Sequence, residues 1–487
     1  MKNNRVIPNW INGEIHIPKS NQTLEKFNPH TGLLDSLVVS SDKNDVSFAV
    51  EVALKSFQIW SNITPVERGN MLMKLVDIFN SNRKLLGDTV SRETGKSNKD
   101  ALGEVNAAIL QGHFFSGEGM RLYGKSLTSG VPGKYSHTVR QPIGVAGLIV
   151  PSNTPIANIA WKIFPALICG NSVVLKASED SPEIGFLIGK MTKEAGIPDG
   201  VVNIIQGKGD PAGIAIVENP NISLISFTGS TSVGKWIAGV ASTRLARVSL
   251  ELGGKNPFVV CDDADIDLAA HGAVLSAFSN AGQRCAAGSR ILIFNNVYSL
   301  FVEKFLEKAK KLTLGVNDGN DLGPVINKKQ QENILNVIKN AEKLGGKILL
   351  GGNTPTESTL SNGYYINPTV IEGLCEDSEI AKIEIFGPVV SLHPVNDITD
   401  ALRVANSTVY GLSAAIHTKN VDRAMWFAQR VKAGVININI GTYGSEQHMP
   451  FGGFGQSGNG TREPGVEALD VYSELKNISF LVRENLI

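Results

Sequence analysis

Cysteine is scarce: only Cys169, Cys261, Cys285 and Cys375 occur in 487 residues. They are widely spaced and form no Cys-x-x-Cys pair, which excludes a disulfide framework and a thiolate zinc site and fits a reducing, cytoplasmic setting. No metal site is expected. An excess of either charge is also lacking, since 46 Lys and Arg balance 46 Asp and Glu. Nucleic acid or an anionic membrane therefore has no electrostatic claim as a partner. No apolar run approaches the ~20 residues that cross a bilayer, the nearest being short stretches such as Val145–Val150. The start, Met1-Lys2-Asn3-Asn4-Arg5, leads into mixed polar sequence rather than the apolar core of a secretory signal. Low-complexity tracts and internal repeats are absent, and none of the eight histidines stands in an obvious catalytic motif. What remains is a long globular chain, beyond the usual ~100–200 residues of one domain, so two or three domains are expected.

Between about residues 142 and 252 the chain alternates. Val145–Val150, Ser172–Leu175, Val201–Ile205, Ile222–Phe227 and Arg247–Leu250 read as buried strands. Ile156–Ile168, Pro182–Ala195, Ala212–Glu218 and Ser232–Ala241 read as the helices between them. This is the pattern of parallel βαβ units and a doubly wound nucleotide-binding sheet. A second α/β cycle starts near Asn256, with strands Asn256–Cys261 and Ser289–Phe294 and helices Asp265–Ser279 and Ser299–Leu312. Residues 45–122 read as largely helical, with Val46, Val50, Ala53 and Phe57 on one face. Tyr123–Gln141 interrupts that pattern as an excursion.

Several positions offer chemistry, each beside a plainer reading. The turns Gly207-Lys208-Gly209-Asp210-Pro211-Ala212-Gly213 and Thr228-Gly229-Ser230-Thr231-Ser232-Val233-Gly234 each follow a strand and precede a helix. Either is an ordinary tight turn or a phosphate cradle, and the second is the better candidate because it opens a helix whose free N–H groups attract anions. Cys285 lies on a glycine-bearing loop, as a small buried hydrophobe or as a nucleophile. Glu251 emerges from a strand end into Gly253-Gly254-Lys255, as a general base whose burial raises its pKa or as a partner for Lys255. Asn153, between Pro151 and Pro155, is a turn residue or a fixed donor for a developing oxyanion.

Their joint order carries more than any one of them. Pro151-Ser152-Asn153-Thr154-Pro155, Lys176-Ala177-Ser178-Glu179, the Phe227–Gly234 turn, Leu250-Glu251-Leu252-Gly253-Gly254-Lys255, Gly282-Gln283-Arg284-Cys285, Glu384-Ile385-Phe386-Gly387-Pro388 and Pro450-Phe451-Gly452-Gly453 resemble the motif series of the aldehyde dehydrogenase superfamily, in order and approximate spacing across the chain. The resemblance implies a Rossmann-type cofactor domain (1–122 and 142–252), an α/β catalytic domain (253–440) and β oligomerisation segments (123–141 and 465–487). It implies NAD, with NADP as the alternative, and oxidation of an aldehyde through a Cys285 thioester. Glu251 is then the base and Asn153 the oxyanion donor, with Lys162 and Glu463 as a proton path near the base. Lys176 and Glu179 correspond to adenosine-ribose contacts, Gly229, Ser230 and Gly234 to the pyrophosphate turn, and Glu384 and Phe386 to nicotinamide-ribose support. A homodimer or homotetramer follows from the same likeness, and a small-molecule aldehyde is the expected partner.

One departure bears on substrate. The aromatic positions flanking the catalytic asparagine in the family are Ser152 and Thr154 here, and Asn158 lies one turn beyond, so a polar pocket and a polar semialdehyde are expected. Glu118 at the pocket entrance would oppose an anionic substrate, and Arg284 beside the nucleophile would offset it. Glu251 argues against an acylating enzyme that passes its thioester to coenzyme A, and retention of both Cys285 and Glu251 argues against a silent scaffold.

Overall fold

The computed structural model describes residues 5–482; residues 1–4 of the polar start and 483–487 of the expected C-terminal segment lie outside the described residues. Four helices precede the first parallel unit: α1 (Lys43–Trp60), α2 (Pro65–Ser81), α3 (Arg83–Thr94) and α4 (Asn98–Glu118). Val46, Val50 and Ala53 are buried as the 3.6-residue spacing requires, on the side of α1 that packs against the sheet. Then α5 (Pro155–Ile168), α6 (Pro182–Glu194), α7 (Ile214–Glu218) and α8 (Thr231–Ser242) alternate with five parallel strands. Those strands lie in the order Arg247–Glu251, Ile222–Thr228, Val145–Ile149, Ser172–Lys176, Val202–Ile205. The order in which strands are added thus reverses between Val145–Ile149 and Ile222–Thr228, and in such sheets ligands bind in the crevice above that switch point. The Asn153 loop leaves one of these two strands and the Gly229 turn leaves the other.

Short N-terminal strands, Asn9–Ile11 and Glu14–His16, extend this sheet as an antiparallel edge that the pattern of hydrophobic residues left unmarked. A second seven-stranded sheet centres on Asn256–Val260 and Gly288–Phe294. It too is parallel, apart from its Lys347–Leu350 edge. Tyr123–Gln141 forms strands Ser126–Leu127 and Lys134–Pro142, the latter paired in antiparallel register with Ser473–Leu481. The alternating run from Asp470 reads as strand throughout, but Ala468–Tyr472 is a helical turn: Val471 and Tyr472 are both buried, which a one-faced strand forbids. Among the described residues no helix is long and apolar enough to cross a membrane.

Candidate active site

Cys285 sits between the Ile266–Phe278 helix and the Gly288–Phe294 strand. The approach is strained, because Asn280 and Ala281 hold left-handed φ values of 55° and 53° before Gly282 at 68°. Non-glycine residues in that region cost energy and persist where surroundings impose them. Here the Asn280 amide donates to the carbonyls of Asn153 and Gln283, both at 3.2 Å. The Asn153 amide in turn donates to the Gln283 carbonyl at 2.9 Å. The Asn153 loop of the first sheet and the Cys285 loop are therefore stapled together, and one amide hydrogen of Asn153 is left free for another acceptor. The Cys285 thiol is half-buried, and its pKa is pushed up to about 12 by burial and then by the charges of Glu384 and Glu251.

Glu251 ends its strand 4% exposed, and neither carboxylate oxygen has a hydrogen-bond partner. Its pKa is raised well above the ordinary carboxyl value, by burial first and then by Glu463, against the pull of Lys162 and Arg462. The ion pair with Lys255 does not form, because the Lys255 ammonium lies toward Arg290 and Glu384. Behind Glu251, the Lys162 ammonium reaches Glu463 at 2.7 Å with both side chains buried. Ser226 and Tyr472 hydroxyls donate to the same carboxylate at 2.9 and 3.0 Å.

The crevice holds a cavity of about 590 Å³ lined by Lys176, Glu179, Gly209, Gly213, Gly229, Val233 and Trp236. Both glycine turns contribute, including the one that fits the dinucleotide spacing poorly. Lys176 pairs with Glu179 at 3.1 Å. Ser230 caps α8, its hydroxyl accepting from the Val233 amide. Gly234 is not part of the lining: a Cβ there would meet Leu252 at 2.5 Å, so its bareness serves close packing of α8. Two other helix starts on this edge are already taken by carboxyl groups. Glu104 accepts the Ile156 amide of α5 at 3.0 Å, and Glu93 accepts the Glu183 amide of α6 at 2.7 Å. Helix N-termini attract anions, and the start of α8 faces the cavity through Gly229, Ser232 and Val233. Glu384 takes the Gly254 amide at 3.0 Å, and a Cβ on Gly253 would fall 2.1 Å from its carboxylate. Burial raises the Glu384 pKa to about 7. Phe386 follows with a φ of 56°, a third non-glycine residue in the left-handed region, beside a pocket shared with Gly254 and Arg284.

The wall around Cys285 differs from the expected one. Asn158 spends its amide hydrogens on the Thr154 carbonyl and hydroxyl at 2.9 and 2.7 Å, so the two side chains are tied to each other. Trp161, Tyr443 and Phe451 pack with Cys285 instead. Trp161 lies within α5, and the apolar helical pattern of Ile156–Ile168 was the available signal for it. Glu118 is buried against Arg121 at 2.6 Å and brings no free negative charge. The Arg284 guanidinium lies 4.9 Å from the Tyr443 ring centroid.

The aldehyde dehydrogenase family profile matches residues 16–478. The chain belongs to the aldehyde dehydrogenase family. It is accordingly an NAD(P)-dependent oxidoreductase of aldehydes. It is 36% identical over 473 residues to alpha-ketoglutaric semialdehyde dehydrogenase of Bacillus subtilis, covering 96% of this chain and 97% of that one. Aldehyde dehydrogenase 1A1 of Gallus gallus is 40% identical over 481 residues, covering 97% and 93%. An aldehyde dehydrogenase structure from Bacillus cereus superposes with a TM-score of 0.95 at 34% identity, covering 98% and 97%. Betaine aldehyde dehydrogenase of Staphylococcus aureus, solved in complex with NAD+, gives a TM-score of 0.95 at 32% identity, covering 97% and 94%.

Proposed function

We propose that the chain oxidises a carboxylate-bearing semialdehyde to the corresponding acid in the cytoplasm, through a thioester on Cys285 that water hydrolyses with Glu251 as base. The thiol is neutral at rest, so attack requires that its proton pass to solvent as sulfur bonds to the carbonyl carbon. The resulting oxyanion is met by the free amide hydrogen of Asn153 and the backbone N–H of Cys285. Lys176 and Glu179 are suited to the adenosine ribose, Gly229 and Ser230 with the open end of α8 to the pyrophosphate, and Glu384 and Phe386 to the nicotinamide ribose. NAD(P)+ bound there supplies the acceptor for the hydride that leaves the sulfur-bearing carbon. Glu251 then draws a proton from the hydrolytic water, and the Lys162–Glu463 pair behind it serves as the path away. In domain terms, residues 1–122 and 142–252 hold the coenzyme, 253–440 carry the nucleophile, and 123–141 with 465–487 join subunits.

The substrate assignment rests on Arg284. It adjoins the nucleophile, stacks on Tyr443 and has no carboxylate partner among the described residues, while the similar Bacillus subtilis protein is named for a semialdehyde. Specificity constants for succinic semialdehyde, an ω-aminoaldehyde, hexanal and benzaldehyde test it, with succinic semialdehyde expected to lead. Losing one charge-assisted bond, Arg284→Leu should cost about tenfold on succinic semialdehyde and little on hexanal. The aromatic wall of Trp161, Tyr443 and Phe451 supports a second reading, in which hexanal or benzaldehyde wins and Arg284 is a packing residue.

A further inference from the structure

We propose that the buried Lys96–Glu104 pair is a positioning device for Asn153, through which it acts on the chemical step. The inference rests on the reading of Asn153 as oxyanion donor. Lys96 follows α3 and Glu104 lies within α4, and the two are 8% and 7% exposed. One Glu104 oxygen receives the Lys96 ammonium. The other accepts the Ile156 and Ala157 amides at 3.0 and 3.3 Å, the first turn of α5. The N-cap of α5, Thr154, makes no side-chain cap bond, so Glu104 supplies the cap from another helix. The Lys96 ammonium also donates to the Asn153 carbonyl at 2.6 Å. Asn153 is thereby gripped on both flanks: its carbonyl by Lys96 and Asn280, and the helix that begins two residues later by Glu104.

This arrangement does more than stabilise a helix. A cap on α5 needs a carboxylate alone, whereas the ammonium points at the peptide group of the residue that must meet the oxyanion. Burial works against the charge on Lys96 and Glu104 sustains it, so the two stand or fall together. Rotation of the Asn153 peptide would swing its amide away from the reacting oxygen, and errors near 1 Å cost about 100-fold in rate.

A double-mutant cycle with the full-length enzyme, read with hexanal and NAD+, separates this role from mere structure. Lys96→Met is expected to lower kcat by about 10–100-fold, with KM for NAD+ unchanged within about twofold, the coenzyme cavity being built elsewhere. In an Asn153→Ala background the same substitution should cost no further kcat, because residues that act as one unit are non-additive. Lys96→Arg should recover most of the rate. Should Lys96→Met fail to fold, Glu104→Gln, which keeps an amide acceptor and removes the charge, is read through the same cycle. A Lys96→Met enzyme within twofold of wild-type kcat, or losses that multiply in the double variant while Asn153→Ala alone is impaired, would overturn the positioning role. Near wild-type turnover by Asn153→Ala alone would instead remove the oxyanion assignment, and this proposal with it.

Discussion

At Cys285 the neutral thiol and at Glu251 the unpartnered carboxyl define what single substitutions should do. Cys285→Ser should abolish turnover while leaving coenzyme binding intact, measured by NADH absorbance and by NAD+ titration, because a serine hydroxyl is far less acidic than a thiol. Glu251→Gln should leave the first acylation and slow hydrolysis, giving a burst of NADH in stopped flow followed by a slow phase. The pH dependence has a definite sign. With its pKa raised, Glu251 is protonated and idle as a base at low pH, so turnover limited by hydrolysis climbs as pH rises through that value. Glu251→Gln should flatten the climb. These residues were legible because glutamate and cysteine each sit in a glycine-bearing motif of recognisable order. Lys96, Glu104 and Tyr443 were not, since nothing local distinguishes them from surface charges or a core aromatic. Their roles come from contacts such as the Lys96 bond to Asn153, 57 positions away.

Helices and strands were legible where burial is complete on both faces. Val145–Ile149, Ser172–Lys176 and Val202–Ile205 are buried almost throughout, and the observed limits of all five parallel strands match the expected ones within a residue or two. Short antiparallel strands at the sheet margins escape such reading: Asn9–Ile11 has three residues and Lys347–Leu350 four. The loop that carries the nucleophile makes its own prediction. A Cβ on Gly282 would fall 2.1 Å from the Gly387 carbonyl oxygen, and its φ of 68° disfavours any side chain. Gly282→Ala should therefore destabilise the protein by about 1–3 kcal/mol and depress kcat together with it, seen as a lowered thermal midpoint. On the coenzyme side, a carboxylate at Glu179 on the cavity wall is expected to favour a ribose 2′-hydroxyl and to repel a 2′-phosphate. Specificity constants should favour NAD+ over NADP+, and Glu179→Gln should narrow the difference.

As a whole molecule the chain leaves a sheet without a cover. Strand Ser473–Leu481 pairs with Lys134–Pro142 on one side, and Tyr135, Leu475, Phe480 and Leu481 are exposed on it. Exposed apolar strand edges of this kind are completed by another chain. Light scattering at micromolar concentration should give two or four times the 52.1 kDa chain mass, and a mass near one chain would contradict the assignment. Paired lysines at Ile478 and Phe480 should shift the particle toward smaller species. The exposed strand begins one residue after Tyr472, whose hydroxyl bonds the same Glu463 that pairs with Lys162. During translation, a nascent chain that has emerged as far as Cys285 already displays its thiol, yet the groups that tune its base are still unmade. Glu463 arrives 178 residues later and Tyr472 nine after that. A product that ends before Glu463 is therefore expected to lack steady-state turnover, so that competence would wait on the last stretch of the message.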